Sequence, residues 1–531
     1  MCFRQPNRVN RLLPRAAAVL LALALLWTHT LTGAVQAQTS PVSTAANWAP
    51  VAPIPQFYPE ALPPVMVTDE NHTVHAFASL PLSDDPADPL SQEMGIFYRQ
   101  WTLEGGWTPL NDILLTPVKL QARVKDAYLD NAGIIHLIFY GGDEQEAYTY
   151  YTSAPAAAAN SAQAWAAPMV IGPQPITPEV AAITGDGEEK LVALYSGNLG
   201  EGNSLYVVYS DDAGATWTDP AMLFSTYTVD DKVFDFDWHL GESGRLYAVW
   251  NVTDKNGQNV GGYFAKMEKI ADKKWTKPVE LAESVGLGIA IPAITEYNGN
   301  VMLIYNNGEG EEVAPVMWFK MSTDGGERFT GPLKAFPDHI GRNGVISFVE
   351  DSADTLHVFF GQRLPGGYGD NLDLHGMWHS TWDGSSWRPL TPVVSGPISG
   401  TFDPYDARAA IVQGNVILLT WRTDPGRDIS STWYSHTVLN TPELPAVPLP
   451  PVQAQYPAGA PQSLSGGAAG LADLLATPTP QPIVTAPLEF SRQPSTSENA
   501  SPAVPLVGAL VPTVLFVAAA LLFGSLRRPK T

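Results

Sequence analysis

One large aromatic side chain returns along this chain at a nearly constant interval, each time with a proline within three residues after it. The instances are Trp107, Trp165, Trp217, Trp275, Phe329 and Trp387, separated by 58, 52, 58, 54 and 58 residues. A steady period of this size marks a repeat architecture. The third period holds four short runs, near Val180–Ile183, Lys190–Tyr195, Ser204–Tyr209 and Ala221–Phe224, and the fifth repeats them at Pro292–Thr295, Val301–Tyr305, Val316–Lys320 and Leu333–Phe336. Such runs, rich in β-branched and aromatic residues and parted by turn formers, read as strands. Four strands per period make a meander, and meanders arranged around an axis make an all-β propeller.

The last period is short of a strand. It offers Arg408–Val412, Val416–Trp421 and Thr432–Val438, and then runs into proline. Trp48-Ala49-Pro50, with no strands before it, supplies the missing form at the other end. The N-terminal strand is therefore expected to complete the last blade and close the ring, which leaves few free sheet edges. With Trp48 as the last closing aromatic the count is seven blades. Six would require one period to be an insertion.

Composition fits short strands and turns, with 45 Gly, 47 Pro and 53 Phe, Trp and Tyr in 531 residues. A formal charge of -23 argues against nucleic acid as a partner. Cys2 is the one cysteine, so no disulfide framework exists. Arg4, Arg8, Arg11 and Arg15 precede the apolar run Ala16–Trp27, and Val35-Gln36-Ala37 offers a cleavage site. This reads as a signal peptide, 1–37. The propeller is expected over 38–440, a Pro/Ser/Thr/Ala-rich stalk over 441–503, a transmembrane helix over 504–523 and a short basic cytoplasmic tail over 524–531. Arg527, Arg528 and Lys530 place the tail inside, and so the propeller outside. The expected product is exported, membrane-anchored and monomeric, with an extracellular glycan or protein as its ligand and no cofactor.

The turn before Trp217 reads Ser210-x-Asp212-x-Gly214-x-Thr216-Trp217. Asp bonds its own backbone and Gly tolerates positive φ, so these residues suit a tight turn. The same pattern stands at Ser322, Asp324, Gly326 and Phe329, and a shortened one at Ser380, Asp383, Gly384 and Trp387. Position by position they resemble the Asp-box, or BNR repeat, of sialidases and related propellers. In that family the box locks a turn on the face away from the ligand.

The resemblance implies an anion clamp of arginines on the opposite face, a tyrosine nucleophile and an aspartate acid/base. Residues placed on that face here are Arg342, Arg363 and Arg422 for the clamp and Tyr405 for the nucleophile. Asp126 or Asp235 would be the acid/base. Arg123, Lys125, Asp237, Asp403, Asp406, Arg408 and Arg427 join them on the same face. The family's first-blade arginine motif is missing from Phe57–Met66, and sialidases have six blades. Two functions follow: a sialidase-like glycoside hydrolase, or a non-catalytic propeller that binds glycan or protein. No metal is expected. His375 and His379 would stand roughly 13 Å apart on a strand, too far for one ion, and the acidic loop Ser83–Asp88 lacks a spaced calcium ligand set.

Overall fold

In the computed structural model, residues 43–44 and 47–450 are described, apart from loop stretches of which the longest are 173–179, 282–288, 307–315, 364–373 and 424–430. The expected signal peptide and transmembrane helix lie outside the described residues. The described chain forms seven antiparallel sheets in sequence order, a seven-bladed propeller. Blades 1 to 7 take their inner strands from Val65–Thr68, Ala122–Leu129, Ala181–Gly185, Lys232–Leu240, Ala290–Tyr297, Ser347–Glu350 and Pro404–Val412. The six-blade alternative falls.

The ring closes as the incomplete last period requires. Ala52–Pro53 pairs with Thr432–Val438 as the fourth strand of blade 7. Ala49 N–H donates to the His436 carbonyl at 2.8 Å, and Ile54 N–H to that of Thr432 at 2.9 Å. Ser43–Thr44 adds a further short strand to the outer edge of blade 6.

The periodic aromatic has a physical reason. Each closing aromatic packs on an aromatic of the preceding blade. Trp107 meets Tyr434, Trp165 meets Phe77, Trp217 meets Tyr151 and Phe329 meets Phe264, with centroids 5.1–5.7 Å apart. Trp387 meets Phe319 at 6.0 Å and Trp48 meets Phe359 at 5.9 Å. Trp275 packs into the cluster that holds Tyr209. Edge-on and tilted contacts of this kind add about 0.5–1.5 kcal/mol each to the area they bury.

The Ser-x-Asp-x-Gly turns form as their chemistry demands. Asp212 accepts the Thr216 N–H at 2.8 Å, and Ser210 Oγ accepts the Gly214 N–H at 2.8 Å. Asp324 and Ser322 do the same for Arg328 and Gly326, at 2.9 and 2.8 Å. Gly214 sits at φ 88° directly against the Tyr151 ring, so a side chain there would collide with it.

A second repeat lies at the turn between the first and second strands. Asp69, Asp130 and Asp351 each accept a backbone N–H within the turn (from Thr73, Ile134 and Thr355) and face a histidine six residues on, His75, His136 and His357. All six are buried. An ionised carboxylate only accepts, so the histidine Nε2 carries the proton and Nδ1 turns to the third strand. There it meets Tyr98 at 2.7 Å, Tyr151 at 2.8 Å and His379 at 2.8 Å. Tyr151 also reaches the Ala213 carbonyl in the Ser210–Trp217 turn of the next blade, at 3.2 Å.

The first ten residues of the expected 441–503 stalk do not stand free of the ring. Residues 441–450 lie across the turn face instead. Leu444 N–H donates to the Gln413 carbonyl of blade 7 at 2.7 Å, and Val447 N–H to that of Glu70 of blade 1 at 2.8 Å. His72 Nε2 meets the Leu444 carbonyl at 2.9 Å, and Ser352 of blade 6 donates to Pro442. Leu449 joins the core cluster shared by blades 1 and 2. This strap crosses the seam where the ring closes. A chain ending at 440 is expected to lose about 2–4 kcal/mol relative to one ending at 460. Scanning calorimetry of the two checks it, and equal Tm values would remove the strap from the fold's stability.

Candidate functional site: the axial cavity

The inner strands surround a cavity of about 1140 Å³, lined mainly by blades 1 to 4. A smaller space of about 210 Å³ adjoins it at Asp237, His239 and Arg408. The inner strands of blades 2, 4, 5 and 7 each break register in their first half, between Val124/Asp126, Val233/Phe236, Ala290/Ala293 and Tyr405/Arg408. Such bulges redirect side chains and are common beside functional sites. Here they face charged residues into the lumen. Ile291 at φ 48° and Asp406 at φ 53° lie in these breaks, in backbone that β-branched residues above all avoid.

Asp126, Asp235, Asp237, Asp406 and Arg408 all line the cavity. The four aspartates share a structural task. An inner strand has a free edge, and its N–H groups need acceptors. Asp126 accepts Ile183 N–H of blade 3 at 2.9 Å. Asp235 and Asp237 accept Ile291 and Ile294 N–H of blade 5 at 3.1 and 2.8 Å. Asp406 accepts Val345 N–H, before the first strand of blade 6, at 2.8 Å. Ser79 and Ser347 do the same for Val124 and Ala409. These residues latch neighbouring blades across the lumen wall. They are neither solvated loop charges nor inter-blade ion pairs.

The latching carboxyls stand partly open to the cavity but away from bulk water. Burial pushes Asp126 up to about 6, against hydrogen bonds from Ile183 and Ala127 and the charge of Arg408. It pushes Asp237 up to about 7, with the Asp126 charge adding to the rise, and Asp235 up to about 6. It also holds His239 neutral, down to about 4. Two carboxyls raised towards neutrality in one cavity, beside an arginine, can give and take protons.

The sialidase-like constellation is brought together only in part. Arg422 pairs with Asp406, Nε to Oδ2 at 2.5 Å, and its guanidinium lies 5.9 Å from the Tyr405 ring centroid. Neither Tyr405 nor Arg422 lines the cavity, whereas Asp126 and Asp235 do. Arg342 lies outside the described residues, and of Arg363 only the backbone is described, paired with His375. His375 is buried against Asp403, and His379 stacks between His357 and Phe359. No metal-binding cluster occurs among the described residues. In the acidic loop, Asp85 and Asp88 accept backbone N–H groups of Ala87 and Leu90.

The cavity also has an aromatic side. Phe234 is 48 % exposed, with Lys232 Nζ 5.1 Å from its ring centroid. Tyr140 lines the wall at blade 2, with Lys125 Nζ 5.1 Å from its ring.

No family model and no curated protein matches the chain. Solved structures do. A polysaccharide lyase of a new family, an ulvan lyase, is 9% identical, with a TM-score of 0.52 over 74% of this chain and 97% of that one. A protein of unknown function from Dyadobacter fermentans is 14% identical, with a TM-score of 0.43 over 75% of this chain and 99% of that one. A Hadza microbial sialidase is 12% identical, with a TM-score of 0.37 over 71% of this chain and 66% of that one. What the chain has in common with the ulvan lyase is its fold.

Proposed function

We propose that the protein is an exported, glycan-recognising propeller of the Asp-box kind that takes its ligand in the axial cavity. Residues 504–523 hold it at the outer face of a membrane, with the basic tail inside. The observation that carries the glycan reading is the cavity's make-up. Carboxyls, Arg408 and the amides of Gln92 and Gln121 share the lining with the exposed ring of Phe234 and the half-buried ring of Tyr140. A sugar offers hydroxyls to the first set and C–H faces to the second.

A second reading, cleavage of the bound glycoside, is favoured by the raised carboxyls of Asp126 and Asp237. Its exo-sialidase form would make Tyr405 the nucleophile and Arg342, Arg363 and Arg422 the carboxylate clamp, and the position of Tyr405 and Arg422 off the cavity lining speaks against it. Incubation of the full-length chain with a fluorogenic sialoside, beside a glycan microarray, separates the readings. Recognition without catalysis predicts array binding and no turnover. Turnover abolished in Tyr405→Phe establishes the sialidase form. Turnover that survives in Tyr405→Phe removes Tyr405 from the chemistry. An array with no bound glycan ends the glycan reading.

A further inference from the structure

The cavity is larger and more lopsided than one terminal sugar needs. Pockets of about 300–1,000 Å³ already enclose most of a drug-sized ligand, and this one measures about 1140 Å³. Its charged end lies at mid-strand, where Asp126, Asp237 and Arg408 oppose Ile138, Val249 and Thr420. Phe234 lies three residues before Asp237 on the same inner strand, towards the face away from the Ser-x-Asp turns. At about 3.3 Å per residue that is roughly 10 Å along the strand, somewhat less with the bulge. A ligand that touched both would be longer than one ring.

Phe234 is also out of place as a structural residue. Its fellow inner-strand aromatic Phe236 packs with the buried cluster of blades 3 and 4, while Phe234 is among the most exposed large apolar side chains described. It is among the residues that line the cavity. A half-exposed aromatic ring inside a polar lumen, with Lys232 Nζ 5.1 Å from its centroid, offers a surface on which the C–H face of a ligand can stack.

We infer that the cavity takes an internal stretch of several linked sugars, with Phe234 as the stacking platform of an outer subsite and the Asp126–Asp237–Arg408 end as the inner one. This rests on the glycan reading proposed above. It distinguishes a chain-reading site from one that takes a single terminal sugar.

The test uses the full-length chain on an array of four length-graded series, mannose, xylose, galacturonate and sialic acid, each from mono- to hexasaccharide. The expected result is signal that grows with length in at least one series and is weak for its monosaccharide. Phe234→Ala should then weaken the longest member about tenfold and leave the shortest unchanged, while Phe234→Tyr restores binding. Phe234 is exposed, so circular dichroism should show both variants folded. Monosaccharide binding equal to that of the longest member overturns the inference and leaves the glycan reading standing. So does an equal loss at every length in Phe234→Ala. Absence of signal in all four series overturns both.

Discussion

Asp130→Ala is expected to destabilise the propeller by about 2–4 kcal/mol, the cost of leaving two buried donors without their acceptor. Asp130 accepts the Ile134 N–H at 2.7 Å and faces His136 Nε2 at 3.2 Å, and both residues are buried. Without it the turn loses its acceptor and the imidazole N–H is left buried and unmatched. The loss should propagate, because His136 orients Tyr151, and Tyr151 supports the Ser210–Trp217 turn of the next blade. Urea denaturation of the single variants and of a cycle with Tyr151→Phe measures this. A coupling of about 0.5–3 kcal/mol between the two positions is expected. Purely additive losses would show that the two blades do not communicate through this path.

Asp237→Asn should have the opposite sign at high pH. The folded-state value of Asp237, about 7, lies above its ordinary 3.8. A carboxyl raised in this way binds its proton more tightly when folded. Its favourable contribution is complete below about pH 4 and is lost as pH rises through 7. A shift of this size corresponds to at most about 4 kcal/mol, reduced by any water in the cavity. Asparagine can still accept the Ile294 N–H through its amide oxygen and carries no charge to desolvate. The variant should therefore melt higher than the parent at pH 8.5, with the gap closing or reversing at pH 5. Asp126 and Asp235 act in the same direction through about pH 6. His239 and His379, lowered to about 4 and about 3 by burial, act in the other: they are buried neutral, and stability falls as pH drops below 6.5. A Tm–pH profile for Asp237→Asn parallel to the parent's would refute the assignment.

The fold was legible because its main long-range contact is also periodic in sequence. Trp107 to Trp387 recur once per blade since each fills the same gap against the blade before. Trp48 could be paired with the last blade for the same reason. The Asp69, Asp130 and Asp351 pairs with His75, His136 and His357 keep a constant internal spacing of six but recur in too few blades to stand out as a period. They occupy blades 1, 2 and 6, whereas the full Ser-x-Asp turns occupy blades 3 and 5, so neither motif marks every period. The site was less legible. A carboxylate that latches a neighbouring blade and one that waits for a substrate look alike in sequence. Only the hydrogen bonds to Ile183 and Ile291 separate Asp126 and Asp235 from free acids. Tyr405 falls within the inner strand Pro404–Val412, which begins four residues before the run Arg408–Val412 that the sequence suggests. Its direction is set by the register break between Tyr405 and Arg408, which alternation along a strand does not anticipate.

The strap at 441–450 has a mechanical consequence. It runs around the ring, from blades 6 and 7 over blade 1 to blade 2, rather than away from it. Tension on the C-terminal tail therefore meets the Glu70, Gln413 and Ser352 attachments before it reaches the last strand of blade 7. The two-residue N-terminal pairing at Ala52–Pro53 is shielded from load, and the tail would have to be peeled off the turn face, contact by contact, before pulling could open the ring.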